Sequence, residues 1–130
     1  MEGLQRALLV GIGGFLGANA RYWIGAWAGS RYGTGALPWA TLAVNVSGAF
    51  LLGFLLALIA GRVSPASEIT LRLLLASGFL GAYTTFSTFE HETLDLFRAG
   101  AFVPALANAL GSLLAGFLAV WLGEITARRL

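Results

Sequence analysis

Charge is what this chain has least of. Asp, Glu, Lys and Arg make up 11% of its 130 residues, against roughly 25% in soluble domains. That excludes an ordinary water-soluble domain and points to an all-α integral membrane protein. Cysteine is absent, which excludes disulfides and thiolate metal sites. Lysine is absent too, so every base is an arginine: Arg6, Arg21, Arg31, Arg62, Arg72, Arg98, Arg128 and Arg129. They are scattered, so no basic patch for nucleic acid exists. Histidine occurs once, at His91, a thin basis for a metal site or a catalytic base. A cleavable signal layout is also missing, so the N-terminus is expected to be retained.

What the chain does have is long apolar runs. A membrane-crossing helix needs about 20 such residues. Four stretches qualify, at about 4–27, 39–60, 70–97 and 101–123, within one domain covering 1–130. Gly33, Gly35 and Pro38 break the first loop and Pro65 the second. Pro104 falls in the first turn of the last helix, where its missing N–H costs little. An even number of spans puts both termini on one side. That side carries Arg6, Arg62, Arg72, Arg128 and Arg129, so the positive-inside rule favours cytoplasmic termini.

Glycine is abundant. The segment Gly-Ile-Gly-Gly-Phe-Leu-Gly, residues 11–17, has the look of a dinucleotide fingerprint, but no strand precedes it and no acid follows at the required distance. Gly13 and Gly17 form a GxxxG that lets helices approach closely. Gly48, Gly53, Gly111 and Gly116 read as packing glycines in the same way.

Polar side chains inside apolar helices need a reason. Thr41, Asn45 and Gly48 share one face of the second helix. Asn45 is either an interhelical hydrogen bond, worth about 0.6 kcal/mol on average, or a donor lining a pore. Asn108, Ser112 and Gly116 form a second polar stripe. Arg21, beside Tyr22, Trp23 and Trp27, is an interfacial anchor or a buried cation. The richest stretch is Gly78-Phe-Leu-Gly-Ala-Tyr-Thr-Thr-Phe-Ser-Thr-Phe89. Its glycines weaken the helix, its hydroxyls can donate to backbone or to a ligand, and such a stretch is tolerated only in protein or against a cavity. Glu90, His91, Glu92 and Asp95 then read as helix-end polarity, with Glu92 able to face a vestibule. Polar stripes on several short helices imply that two or more copies associate.

These motifs resemble the small fluoride channel family, the CrcB or Fluc proteins. The likeness rests on GGFLGANARY at 13–22, TLAVNVSGAFLLG at 41–53 and GFLGAYTTFSTFE at 78–90. The blocks fall in three of the four helices and in the family's order. The resemblance implies a passive fluoride-selective channel, not an enzyme, that exports toxic fluoride across the cell inner membrane. It implies an antiparallel, dual-topology homodimer of four-helix subunits, with the third helix broken near its middle. This stands against the single orientation that the arginines favour.

The same resemblance implies a structural sodium ion at the dimer centre, on the backbone carbonyls of Gly81 and Thr84, and no organic cofactor. Phe86 and Phe89 would meet fluoride with ring edges, and Asn45 would donate an N–H. Ser87, Thr88, Thr41, Ser112 and Asn108 complete the expected path. Asn108 departs from the Tyr often found there. Arg21 and Glu92 map near the entrances. The alternative is a small multidrug-type proton-coupled exporter, which needs a membrane-embedded acid. None lies in the first three spans before Glu90. An intramembrane hydrolase, with Ser87 and His91 as its only candidates, and a non-conducting assembly subunit are the remaining options.

Overall fold

The computed structural model describes residues 2–32 and 37–130, so Gly33 and Gly35 lie outside the described residues. Every regular element among these is helical. Helix α1 covers Gly3–Tyr32 and α2 covers Trp39–Ile59. A composite helix follows, made of α3 (Pro65–Leu71), a π-helical stretch π1 (Arg72–Leu80) and the short α4 (Gly81–Tyr83). After two extended residues come α5 (Phe86–Arg98) and then α6 (Phe102–Arg128).

Three stretches, Trp39–Ile59, Pro65–Arg98 and Phe102–Arg128, are long and apolar enough to cross a membrane. Helix α1 has the length, at 30 residues, but is not in that group. Its many glycines contribute little hydropathy, and Asn19 and Arg21 subtract from it. The composite helix starts five residues before the expected Thr70. Ser64 caps it by accepting the Ser67 amide at 3.3 Å, with Pro65 at the first helical position.

Small residues set the packing. A Cβ on Gly13 would run into the Leu74 carbonyl, and one on Gly17 into the Phe79 carbonyl. Gly78 faces Gly13 from the other side, where an added Cβ would sit 3.0 Å from the Gly13 Cα. Helix α1 and π1 therefore touch backbone to backbone, as the GxxxG predicts. Helices α2 and α6 do the same, with Gly53 against the Val120 carbonyl and Gly123 against the Phe50 carbonyl. Gly48 lies against Tyr83 and Thr84. Gly111 and Gly116 differ from expectation, because a Cβ there meets nothing within 4 Å. Among the described residues, neither is in close contact with another helix.

The buried apolar cluster is small: Val44, Leu80 and Tyr83, ringed by Ala20, Ile24, Leu52, Leu55 and Phe79. Most large apolar side chains, such as Phe15, Trp23, Leu113 and Phe117, point outward. In water that would be a fault, but against lipid tails it costs nothing.

Candidate functional site

The non-helical residues are Thr84, with ψ of 160°, and Thr85, with φ of −149° and ψ of 119°. The weak stretch was expected from Gly78 through Gly81 to Thr84, but Gly78 sits inside π1 and Gly81 is the first residue of α4, so of these Thr84 alone is extended. Gly78 serves close approach to α1. The chain leaves the helix at two β-branched residues whose hydroxyls compete for backbone partners.

Asn45 stabilises that departure. Its Oδ1 accepts the Thr85 amide N–H at 2.7 Å, and its Nδ2 donates to the Thr85 carbonyl at 2.9 Å. One side-chain amide thus pairs with both backbone groups of Thr85, as a neighbouring strand would. Thr85 then caps α5, accepting the Thr88 amide on its hydroxyl at 3.3 Å. Two donors are thereby diverted. The Thr85 N–H would meet the Gly81 carbonyl in a continuous helix, and the Thr88 N–H would meet that of Thr84.

A cavity of about 350 Å³ opens beside this turn. Asn45, Thr84, Thr85 and Ser112 supply its polar wall, with Phe86 and Phe89 alongside. The two rings are 5.8 Å apart between centroids and tilted by 42°. Phe89 is 7% exposed and Phe86 is 69% exposed. A second cavity, about 410 Å³, is lined by Arg21, Thr41, Thr85, Thr88 and Glu92, among others. Thr85 lines both cavities and forms the wall between them.

Most hydroxyl protons on these walls already have acceptors. Thr84 donates to the Leu80 carbonyl at 3.0 Å, Thr85 to Thr88 Oγ1 at 2.9 Å and Thr41 to Glu92 Oε1 at 2.9 Å. Asn45 keeps its second amide hydrogen, since one carries the Thr85 bond and an amide has two. Thr88 receives from Thr85, so its own proton is left to give. The other Glu92 oxygen, Oε2, is buried without a hydrogen-bond partner.

The two cavities bring together Asn45, Phe86, Phe89, Thr41, Thr88, Ser112, Arg21 and Glu92. Ser87 is exposed and lines neither of them. Asn108 is 5% exposed, lines neither, and bonds to Thr93. His91 pairs with Asp95 at 3.0 Å on an exposed face, away from the hydroxyl wall.

Residues 8–124 match the family described as CrcB-like protein, Camphor Resistance (CrcB). The chain belongs to the CrcB-like family. Its match runs from the first turns of α1 almost to the end of α6, so the cavities and both helix pairs lie within it. A relative from Moorella thermoacetica, named fluoride-specific ion channel FluC 2, is 51% identical over 92% of this chain and 94% of its own length. One from Solibacter usitatus, named fluoride-specific ion channel FluC, is 47% identical over 96% of this chain and 100% of its own. A third, from Acidobacterium capsulatum and with the same name, is 46% identical over 97% of this chain.

Within this member of the family, three side chains at the site were missed in the sequence. Thr85 is the shared wall, and Thr93 and Ser47 brace the helices around it. Thr85 was visible only as one hydroxyl of a run, and nothing in a run tells which member faces a cavity. Ser47 bonds Tyr83 Oη at 2.9 Å, 36 positions away, a pairing that spacing along one helix does not reveal.

Proposed function

We infer that this chain is a fluoride-specific ion channel, a multi-pass membrane protein through which fluoride leaves the cell passively. The observation that carries the reading is the pair of cavities sharing Thr85. One is walled by an amide and two phenyl rings, the other by hydroxyls and Arg21. The names of the relatives, held by chains matching nearly end to end, support the same ion.

Fluoride is small and strongly hydrated, so each lost water needs a replacement donor. In the first cavity the second Asn45 N–H supplies one, and the phenyl edges, which carry partial positive charge, supply weaker ones. Thr88 can offer its proton in the second. Arg21 draws anions to that mouth, while Glu92, tied to Thr41, shapes the entrance. Thr41, Ser112 and Ser87 extend the polar track, and Asn108 braces it. A larger, less strongly hydrated chloride gains less from so narrow a row of donors. A proton-coupled exporter would have one acid on the walls of the two cavities, Glu92, and its Oε1 is already tied to Thr41.

The working unit is an antiparallel homodimer of four-span subunits, with α1 as the fourth span and the third helix broken at Thr84 and Thr85. It resides in the cell inner membrane. Phe86, exposed beside a cavity that one chain leaves open, suits closure by a second copy. A structural sodium ion at the centre would be held by the carbonyls of Gly81 and Thr84. The diverted amides of Thr85 and Thr88 fit that role, because both carbonyls lose their helical donors. Such oxygens suit a hard cation, which would tie the two subunits together.

Purified protein in liposomes tests the reading directly. Fluoride efflux, followed by electrode, is expected to be fast and chloride efflux negligible. Equal rates for the two ions, or no flux of either, would overturn it.

A further inference from the structure

Asn108 lies off the two cavities yet is among the most buried polar residues of the chain, at 5% exposed. Its partners form a directed chain. Thr93 Oγ1 is 2.7 Å from the Phe89 carbonyl, which can only accept, so the hydroxyl hydrogen lies there. The Thr93 lone pairs then take an N–H from Asn108 Nδ2 at 2.8 Å. That orients the amide and leaves Asn108 Oδ1 facing Ser112, whose hydroxyl donates to it across 3.4 Å. The chain therefore runs from the backbone of Phe89 through Thr93 and Asn108 to Ser112. Both of its ends, Phe89 and Ser112, line the same cavity.

The links differ in strength. The two at 2.7 and 2.8 Å are short; the first lies within α5, and the second ties α6 to α5 one turn along from Phe89. The last, at 3.4 Å, is at the long limit of a hydrogen bond and easily released. Ser112 thus rests with its proton on Asn108 and its lone pairs toward the cavity. An anion entering the cavity is a stronger acceptor than the amide oxygen, and a hydroxyl turns about one bond.

We propose that Asn108 and Thr93 are positioning residues for the anion path. They hold Ser112 as a reserve donor, which turns its proton from Asn108 to a passing anion. The proposal rests on the channel reading above and assigns to it residues outside the walls of those two cavities.

Fluoride efflux from liposomes tests it, with Asn108→Leu, Thr93→Val and Thr93→Ser each made with Ser112 intact and with Ser112→Ala. With Ser112 intact, Asn108→Leu and Thr93→Val should each slow efflux about tenfold, the scale of one lost hydrogen bond. Thr93→Ser restores the hydroxyl and should stay within about twofold of the wild type. In the Ser112→Ala protein, which is already slower, the same changes should cost less than about twofold more. Wild-type efflux from a correctly assembled Asn108→Leu or Thr93→Val protein overturns the proposal. So does a tenfold loss that persists after Ser112→Ala, since the two residues would then act by packing alone. If the wild type carries no fluoride, the channel reading falls instead. Deuterium exchange then judges the chain: faster exchange along 86–98 in Thr93→Val supports it, and unchanged exchange overturns it.

Discussion

At Asn45 one amide meets two needs. It satisfies the Thr85 N–H and C=O that the helix has released, and it retains a hydrogen for the cavity. The two alternatives read from the sequence, an interhelical bond and a pore-lining donor, are therefore compatible. Asn45→Leu removes both. It leaves two buried backbone groups unpaired at about 1–3 kcal/mol each, so both the thermal midpoint in detergent and fluoride efflux should fall. A variant as stable as the wild type would show that Asn45 does not hold the turn. Phe86 separates the functional part more cleanly, because its ring is 69% exposed and carries little of this subunit's packing. Phe86→Ile should leave the midpoint nearly unchanged and slow efflux about fivefold, the value of an edge contact near 1 kcal/mol. Unchanged efflux from an assembled protein would argue against a ring-edge contact.

Elements were legible where local chemistry fixes them. Length and apolarity marked α2 and α6, and the GxxxG marked the face of α1 that meets π1. Partners were harder, because a glycine in a sequence does not say what lies opposite. Gly13 and Gly78 meet each other, whereas a Cβ on Gly111 or Gly116, chosen on the same grounds, would meet nothing within 4 Å among the described residues. The expected weak stretch ran from Gly78 to Thr84, and the extended residues, Thr84 and Thr85, lie at its far end rather than at its glycines. Their position depends on Asn45, 40 residues away. Gly78→Ala and Gly111→Ala test this distinction. Alanine in a helix is worth up to about 1 kcal/mol over glycine, and overpacking costs about 1–3 kcal/mol. The clash should win at Gly78, where the Cβ would lie 2.8 Å from the Val10 carbonyl, and the midpoint should drop. At Gly111 the space is open among the described residues, so the midpoint should hold or rise. A fall at Gly111 would mean that something outside this chain covers that face.

For the whole molecule, the arginines and the proposed dimer pull in different directions. Arg6, Arg62, Arg128 and Arg129 crowd one end of the bundle, and a single orientation would follow if they governed insertion. Several are tied into the fold. Arg62 donates to the Ala127 carbonyl at 3.2 Å, Arg72 pairs with Glu68 at 2.9 Å, and Arg128 pairs with Glu124. An antiparallel dimer needs both orientations in one membrane, so their bias must be too weak to decide. The lack of cysteine makes this measurable without further engineering. Val63 and Ala99 are exposed at opposite ends of the helix that joins them, in turns beside Gly61 and Gly100, whose positive φ values end the preceding helices. Val63→Cys and Ala99→Cys, made singly, should each react to roughly half with a membrane-impermeant thiol reagent on intact cells, and fully once the membrane is opened, if both orientations coexist. Full reaction of one and none of the other would fix one orientation. The dimer could then be antiparallel only if the subunits inverted after insertion, and carrying several arginines across the bilayer forbids that.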